Sequence, residues 1–407
     1  MTSCDVLIVG GGPAGSSTAV ALAARGVSTI VLDRARFPRP KPCAEYLSPQ
    51  ASRVLHEMGV LHAVESTGAA QLRGVTVRAP NGKQIHGEFL AKHGYTPFSE
   101  RGLSIRREVL DELLLARARV AGADVRESTR VTDLTTDDGV VTGVRILENG
   151  NRSSIAARLV IGADGLRSTV ARRLRLTQVA RWPRRLALVT HFRGVEGITD
   201  VAEMHVERDG FIGIADVGHG LTTAALVVPA SAAPEIVGDT AGFLTNWIES
   251  KPQLAPRFAA ATRASPVRAT GPFATHAKRA WAPGALLVGD AADFFDPFTG
   301  EGIYAALRGG ELAAEAAQQA LSAATSSARD RTLSAYDDAR RKEFKGKWLI
   351  ERFIAGVVAS PFLINRAASS LSRRRDLADL LIGVTGDFVP PGEIVNARYV
   401  LAAFGLI

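Results

Sequence analysis

The stretch that most constrains this chain is Gly10-Gly11-Gly12-Pro13-Ala14-Gly15, set between an apolar run, CDVLIV (4–9), and an alanine-rich segment from Pro13 to Arg25. The run ahead of the glycines predicts a buried parallel strand. The segment after them predicts a helix with proline in its first turn, where a missing N–H costs nothing. A second apolar run, STIVL (28–32), completes a strand–helix–strand unit of a doubly wound, Rossmann-type α/β fold. Gly10, Gly12 and Gly15 have the GxGxxG spacing. Gly10 permits the tight turn, Gly12 lets backbone approach a pyrophosphate, and Gly15 lets the helix pack on the sheet. Pro13 and Ala14 open that helix, whose free N–H groups would face the phosphates. Asp33 ends the second run, with Arg34 beside it, and its carboxylate is suited to the adenosine ribose hydroxyls.

One such loop does not separate FAD from a nicotinamide dinucleotide. Two further loops of the same kind do. IGADGLRS (161–168) sets Asp164 and Gly165 just after an apolar run, and LLVGDAADFFDPFTGEGI (286–303) does the same with Gly289 and Asp290. The latter continues through Pro297, Phe298, Gly300, Glu301, Gly302 and Ile303 into a long helix. N–H groups at that helix start would face the flavin pyrimidine carbonyls, where reduction accumulates negative charge, and Asp290 would bind the ribityl chain. A plain nicotinamide dehydrogenase has no use for the arrangement at residue 290.

The rest of the pattern places these loops in a discontinuous domain made of residues 1–72, 101–179 and 276–330. A helix from Arg107 leads to a short strand at 124–126. Segments 130–134, 139–147 and 152–157 read as an antiparallel excursion turned at Asp138-Gly139 and Asn149-Gly150, followed by separate short strands at 159–161 and 285–288. Residues 73–100 and 180–275 alternate in the manner of a mostly antiparallel α+β substrate domain inserted twice into the first. Helices at 302–321 and 330–353 follow, and residues 331–407 form a helical region covering the substrate pocket.

The formal charge is +8, but the basic residues are scattered and no basic groove carries interleaved aromatics, so a nucleic-acid partner is not expected. A positive field favours anionic flavin and nicotinamide cofactors. The two cysteines, Cys4 and Cys43, have no metal-ligand spacing, and their scarcity suits a reducing cytoplasm. No export signal precedes the first strand. The uncharged stretch Phe353 to Asn365 is 13 residues, short of the roughly 20 that a membrane-spanning helix needs. Lys345, Lys347 and Arg373 to Arg375 flank this apolar tail, which would either roof the pocket or lie at the inner, anionic membrane face.

The three loops together resemble the large flavoprotein family of aromatic-ring hydroxylases, flavin-dependent halogenases and geranylgeranyl reductases, over residues 4 to about 320. That resemblance implies a glutathione-reductase-like FAD domain joined to a substrate domain, with NADPH or NADH as transient reductant. It also implies that Lys41, Arg107 and Val131 reach the cofactor; the residues alone equally allow Arg107 as a solvated helix-start arginine. KPCAEYLSPQA (41–51) and DPFTGEGIYAALRGGELAA (296–314) resemble the geranylgeranyl-reductase-like branch and its hydroxylase relatives most. Prenyl reductases commonly continue the cysteine with glycines, whereas Ala44, Glu45 and Tyr46 follow here. This departure orders hydroxylation ahead of alkene reduction. Halogenation ranks third, because Trp182, Trp247, Trp281 and Trp348 stand alone.

The resulting expectation is an FAD-dependent monooxygenase that uses molecular oxygen on a small apolar aromatic, phenolic or lipid-like substrate, with reduction of isoprenoid-type double bonds as the alternative. Cys43 would shape the reactive face of the flavin or act as a small buried hydrophobe. Glu45 and Tyr46 would meet a substrate hydroxyl, or else be a solvated glutamate and a packed ring. Pro297 and Phe298 would shape the flavin environment or only form the turn. His191, His205 and His219 are weaker catalytic candidates, with His205 on a polar strand face beside Glu203 and Glu207.

Overall fold

The computed structural model describes residues 3–407. The chain enters β1 (Ser3–Val9), turns through the glycine loop into α1 (Pro13–Ala23), and returns in β2 (Thr29–Leu32). It then crosses to β3 (Gly74–Arg78) and β4 (Gln84–Glu88), and comes back through α2 (Arg107–Val120) and β5 (Asp124–Arg126). Three long strands follow: β6 (Thr129–Asp137), β7 (Val140–Glu148) and β8 (Asn151–Gly162). A second crossing supplies β9 (Arg185–Arg193), β10 (Val201–Glu207), β11 (Gly210–Asp216) and β12 (Thr222–Pro229) before the return in β13 (Ala285–Leu287). The remainder is helical: α3 (Gly302–Leu321), α4 (Ser326–Val358), α5 (Pro361–Leu371), α6 (Arg375–Thr385) and α7 (Ala397–Ala403).

The first sheet has the parallel order β13-β8-β1-β2-β5, with β6 and β7 attached through β8. The carboxyl-terminal parts of its central strands (6–9, 30–32 and 159–161) are apolar and buried, because helices and the β6–β7 excursion pack against the sheet. The antiparallel excursion differs from the sequence reading in one respect: residues 152–157 and 159–161 belong to a single strand. Along β8 the first half pairs antiparallel with β7 and the second half parallel with β1 and β13. Its side chains accordingly change from exposed to buried partway, which reads as two strands in the sequence. Both turns flanking β7 have left-handed central residues, Asp138-Gly139 (φ 44° and 78°) and Asn149-Gly150 (φ 49° and 81°), as two-residue hairpins require.

The second sheet runs β9-β12-β11-β10-β3-β4, antiparallel except at the β10–β3 junction. Alternation divides its two faces. Leu188, Ile212 and Leu226 pack on a helix at Thr240–Glu249, while Val189, Phe211, Ala225 and Val227 face α4 to α7. A broad apolar space between sheet and helices results. Helix α4 starts at Ser326, not near 330, because the Thr325 hydroxyl accepts from the Ala328 N–H at 3.2 Å and caps it. Among the described residues, no single helix is long and apolar enough to cross a membrane; only α4 and α5 together reach that length and hydropathy, and they are bent by 105°.

Small residues bring α1 and α3 together behind the glycine loop. Ser17 Oγ donates to the Leu307 carbonyl at 2.8 Å, and a Cβ on Gly310 would lie 2.7 Å from Ser17 Cβ. Gly310→Val must therefore separate the two helices. It should lower unfolding stability in urea by about 1–3 kcal/mol, the usual cost of overpacking a close contact.

Candidate active site

The carboxyl ends of β1, β8 and β13 converge, and with them the three glycine-bearing loops. Gly10 has φ +107°, and a side chain there would overlap the Ala163 carbonyl; one on Gly15 would overlap Gly10. Gly12 is different: the nearest atom a Cβ would meet is Arg39 Nη2 at 3.7 Å, so this backbone faces open space. Gly12, Pro13 and Ala14 border a cavity of about 330 Å³, and Ala163, Gly165, Gly289 and Asp290 border the same cavity. Asp33, which does not line the cavity, accepts from the N–H groups of Gly11 and Ala35, both at 2.8 Å, which fixes the carboxylate at the end of β2. Lys41 Nζ sits 3.7 Å from Asp290 Oδ2, and both side chains remain partly exposed on the cavity wall.

These features fit FAD. The helix start at α1 offers free N–H groups to a pyrophosphate, Asp33 to a ribose, Asp290 and Lys41 to a ribityl chain, and the Gly300–Ile303 helix start to a pyrimidine ring. The Thr299 hydroxyl is buried beside that start without a partner in the protein, as expected of a group that bonds a ligand. Bound there, FAD supplies two-electron chemistry next to the cavity.

Several side chains take other roles than the sequence suggested. Arg107 is not a solvated helix-start arginine: it is buried on the cavity wall and bidentate to Asp111, at 2.8 Å for both bonds. Asp164 does not line the cavity. Its Oδ2 accepts from Thr169 N at 2.6 Å and caps the next helix, while burial raises its pKa. Val131 and Arg34 also lie off the cavity wall. Glu301 is buried with its carboxylate turned to Lys347 Nζ at 2.8 Å, so its backbone alone would be left to a cofactor. Such a carboxylate needs a cation once it leaves water.

The Cys43 loop lies beside the Gly165 and Asp290 loops at the same end of the cavity. Cys43 Sγ accepts from the Glu45 N–H at 3.3 Å. Glu45 is neither solvated nor free: it is 3% exposed and left-handed (φ 66°). One oxygen accepts from Arg107 N at 2.9 Å, and the other lies 2.7 Å from His191 Nε2. Tyr46 is packed, its ring stacked on Phe89 with centroids 6.2 Å apart and its hydroxyl unpartnered; burial holds its pKa well above that of a free tyrosine. Pro297 and Phe298 line the cavity, and Phe298 meets Phe211 edge-on at 4.9 Å. His205 does not face water but is buried against Glu203 at 2.8 Å, while His219 bonds the Thr67 carbonyl at the surface.

Sequence reading missed a buried charged group on α4. Lys347 bridges Glu301 and, at 3.4 Å, Glu351, and Arg340 pairs with Asp293. All five line the cavity. Burial pushes the Glu351 carboxyl up to about 8, against the downward pull of Lys347 and with a further push from Glu301. The available signal was a Lys and a Glu one turn apart between Phe344, Trp348 and Ile354 on the same helix. Among the described residues, no group of three His, Cys, Asp or Glu side chains converges to hold a metal ion.

A doubly wound sheet with three cofactor loops, an inserted antiparallel sheet and an apolar cavity between them define an FAD-dependent oxidoreductase. The chain belongs to the FAD binding domain family, whose model matches residues 3–346. It is 29% identical to digeranylgeranylglycerophospholipid reductase 2 of Methanopyrus kandleri over 392 residues, covering 95% of this chain and 93% of the relative. A geranylgeranyl bacteriochlorophyll reductase-like structure from Thermoplasma acidophilum superposes with a TM-score of 0.74 at 23% identity, covering 100% of this chain and 96% of the other. A flavin-dependent brominase does so with a TM-score of 0.81 at 20% identity, covering 99% and 98%. At these identities the two structures establish the shared fold.

Because the folded Glu351 pKa lies above its ordinary value of 4.5, the protonated acid favours the folded state. That contribution is complete below pH 4.5 and is lost as the pH rises through about 8. Urea unfolding across this range should show the wild type losing stability relative to Glu351→Gln as the pH increases.

Proposed function

We propose that this protein is an FAD-dependent reductase of isoprenoid-type carbon–carbon double bonds, with NADPH or NADH as the reductant. The observation that carries the reading is the shape and chemistry of the cavity. It leaves the cofactor loops near Cys43 and Pro297 and continues between the inner face of the second sheet and the C-terminal helices. Its walls there include Val189, Ala225, Val227, Trp348, Val358 and Leu371. Such walls suit a flexible hydrocarbon chain, whose burial contributes about 0.8 kcal/mol per methylene. The reductase relative, matched over nearly the full length of both chains, supports the same chemistry.

Hydroxylation ranks first on sequence because Ala44, Glu45 and Tyr46 stand where prenyl reductases commonly have glycines, with Glu45 and Tyr46 as candidates to meet a substrate hydroxyl. The Glu45 carboxylate is instead engaged by Arg107 and His191, and the Tyr46 ring is packed on Phe89. Burial raises the Tyr46 pKa further above that of a free tyrosine, which makes a phenolate there less accessible still. A packed, neutral Tyr46 is not a base for a phenol, which removes that half of the hydroxylation reading. In alkene reduction the protein's tasks are to align the double bond along the apolar wall, exclude water, and provide a proton at the cofactor end of the cavity.

The test is the mass of the product. FAD-loaded protein reduced without oxygen and given a geranylgeranyl lipid should yield a product heavier by two hydrogens for each saturated bond. A product heavier by one oxygen, formed only in air, would replace this reading with hydroxylation.

A further inference from the structure

Saturating a double bond consumes a hydride and a proton, and the protein must find the proton inside an apolar cavity. We propose that Ser265, His191 and Glu45 form a proton relay from the edge of the substrate domain to the cofactor end of the cavity, with Glu45 delivering the proton. The relay rests on the reductase reading above.

The three side chains are joined end to end. Glu45 Oε2 lies 2.7 Å from His191 Nε2, and His191 Nδ1 lies 2.9 Å from Ser265 Oγ. Both imidazole nitrogens are thus engaged, one by a carboxylate and one by a hydroxyl, the arrangement through which an imidazole passes a proton from one side to the other. Exposure falls along the chain: Ser265 and the His191 ring are partly exposed, at 16% for the His191 side chain, and the Glu45 side chain is 4% exposed. The inner end lines the cavity beside Cys43, whereas His191 sits behind it on β9.

Two features point to a polar task at this end and not to packing alone. First, Glu45 is held in the left-handed region at φ 66°, an uncommon backbone for a residue that is not glycine. The bonds to Arg107 N and His191 keep it there. Second, Thr223, opposite His191 in the β9–β12 register, lines the cavity with a buried hydroxyl that has no partner. Near the apolar Val189, Ala225 and Val227 of this sheet, the cavity therefore has a carboxyl from the Cys43 loop and a free hydroxyl from β12. The nearby Arg107 guanidinium is turned to Asp111, at 2.8 Å for both bonds, so Glu45 meets Arg107 at its backbone N–H and has its second oxygen on His191.

The step balances as follows. FAD held at the loops and reduced by the nicotinamide nucleotide would supply the hydride for one alkene carbon, its two electrons accounting for the reduction. Protonated Glu45 gives its proton to the other carbon, so that two C–H bonds replace the π bond. The Glu45 carboxylate then takes a proton from imidazolium His191, which is reprotonated from water through Ser265.

The experiment uses the FAD-loaded protein, reduced with dithionite and mixed without oxygen with a digeranylgeranylglycerophospholipid in detergent. Flavin reoxidation and product mass are followed together. Glu45→Gln and His191→Ala should each slow reoxidation by about a hundredfold, the lower range for loss of an acid catalyst. Both should keep FAD affinity and the rate of reduction by NADPH within about twofold of wild type. Added imidazole should restore a substantial part of the His191→Ala rate and none of the Glu45→Gln rate. In ¹⁵N-histidine-labelled protein, the Nε2 resonance of His191 should move in Glu45→Gln. Wild-type reoxidation rates in both variants, or a loss that accompanies lost FAD affinity and is not rescued by imidazole, would overturn the relay and leave a structural clamp. Failure of the wild type to saturate the lipid would refute the reductase reading itself, and the relay with it, before any variant is compared.

Discussion

Parallel pairing of β1 with β8 and of β8 with β13 is the constraint on which the site depends. Each strand ends at the same edge, so loops that begin near residues 10, 163 and 289 become neighbours although they are far apart in sequence. The junctions are closed by backbone bonds: Ala163 N donates to Val9 O at 2.8 Å, and Val288 N to Gly162 O at 2.9 Å. Ligand sites of open parallel sheets lie beyond the carboxyl ends of the strands for this reason. Without that register, no single dinucleotide could touch Gly12, Asp33 and Asp290 together.

The second domain depends on the first for one wall of its cavity. The inner face of the antiparallel sheet supplies small and branched side chains, and α4 to α7 cover it. The cofactor loops and the Cys43 loop close the remaining end. The carboxyl and cationic groups in this space are partnered: Glu45 with Arg107 N and His191, Glu301 and Glu351 with Lys347, Arg340 with Asp293. Burying charge without partners would cost several kcal/mol per ion, so these pairs make a polar rim compatible with an apolar interior. They also tie α4 to the start of α3, coupling the roof of the cavity to the flavin end.

The fold and cofactor loops were legible in the sequence because their demands are local. A tight turn at Gly10, close packing at Gly15 and an acid at the end of β2 must recur at fixed offsets from a strand, whatever surrounds them. The catalytic end was less legible because its contacts join distant segments. Glu45 and His191 are 146 residues apart, and Glu301 and Lys347 meet only once α4 folds over α3. A charged residue next to an apolar run looks like a solvated one until its partner is known. The same limit turned β8 into two strands, since its neighbours change along its length.

The central claim is that the flavin site opens directly into the apolar cavity between the second sheet and the C-terminal helices. Titrating FAD-loaded protein with geranylgeraniol while recording the flavin absorption spectrum tests it most directly. The account predicts a saturable perturbation of the flavin bands that disappears in Ala225→Trp, which fills the cavity from the sheet without touching the cofactor loops. An unperturbed spectrum in the wild type despite measured binding, or the same perturbation in both proteins, would contradict it.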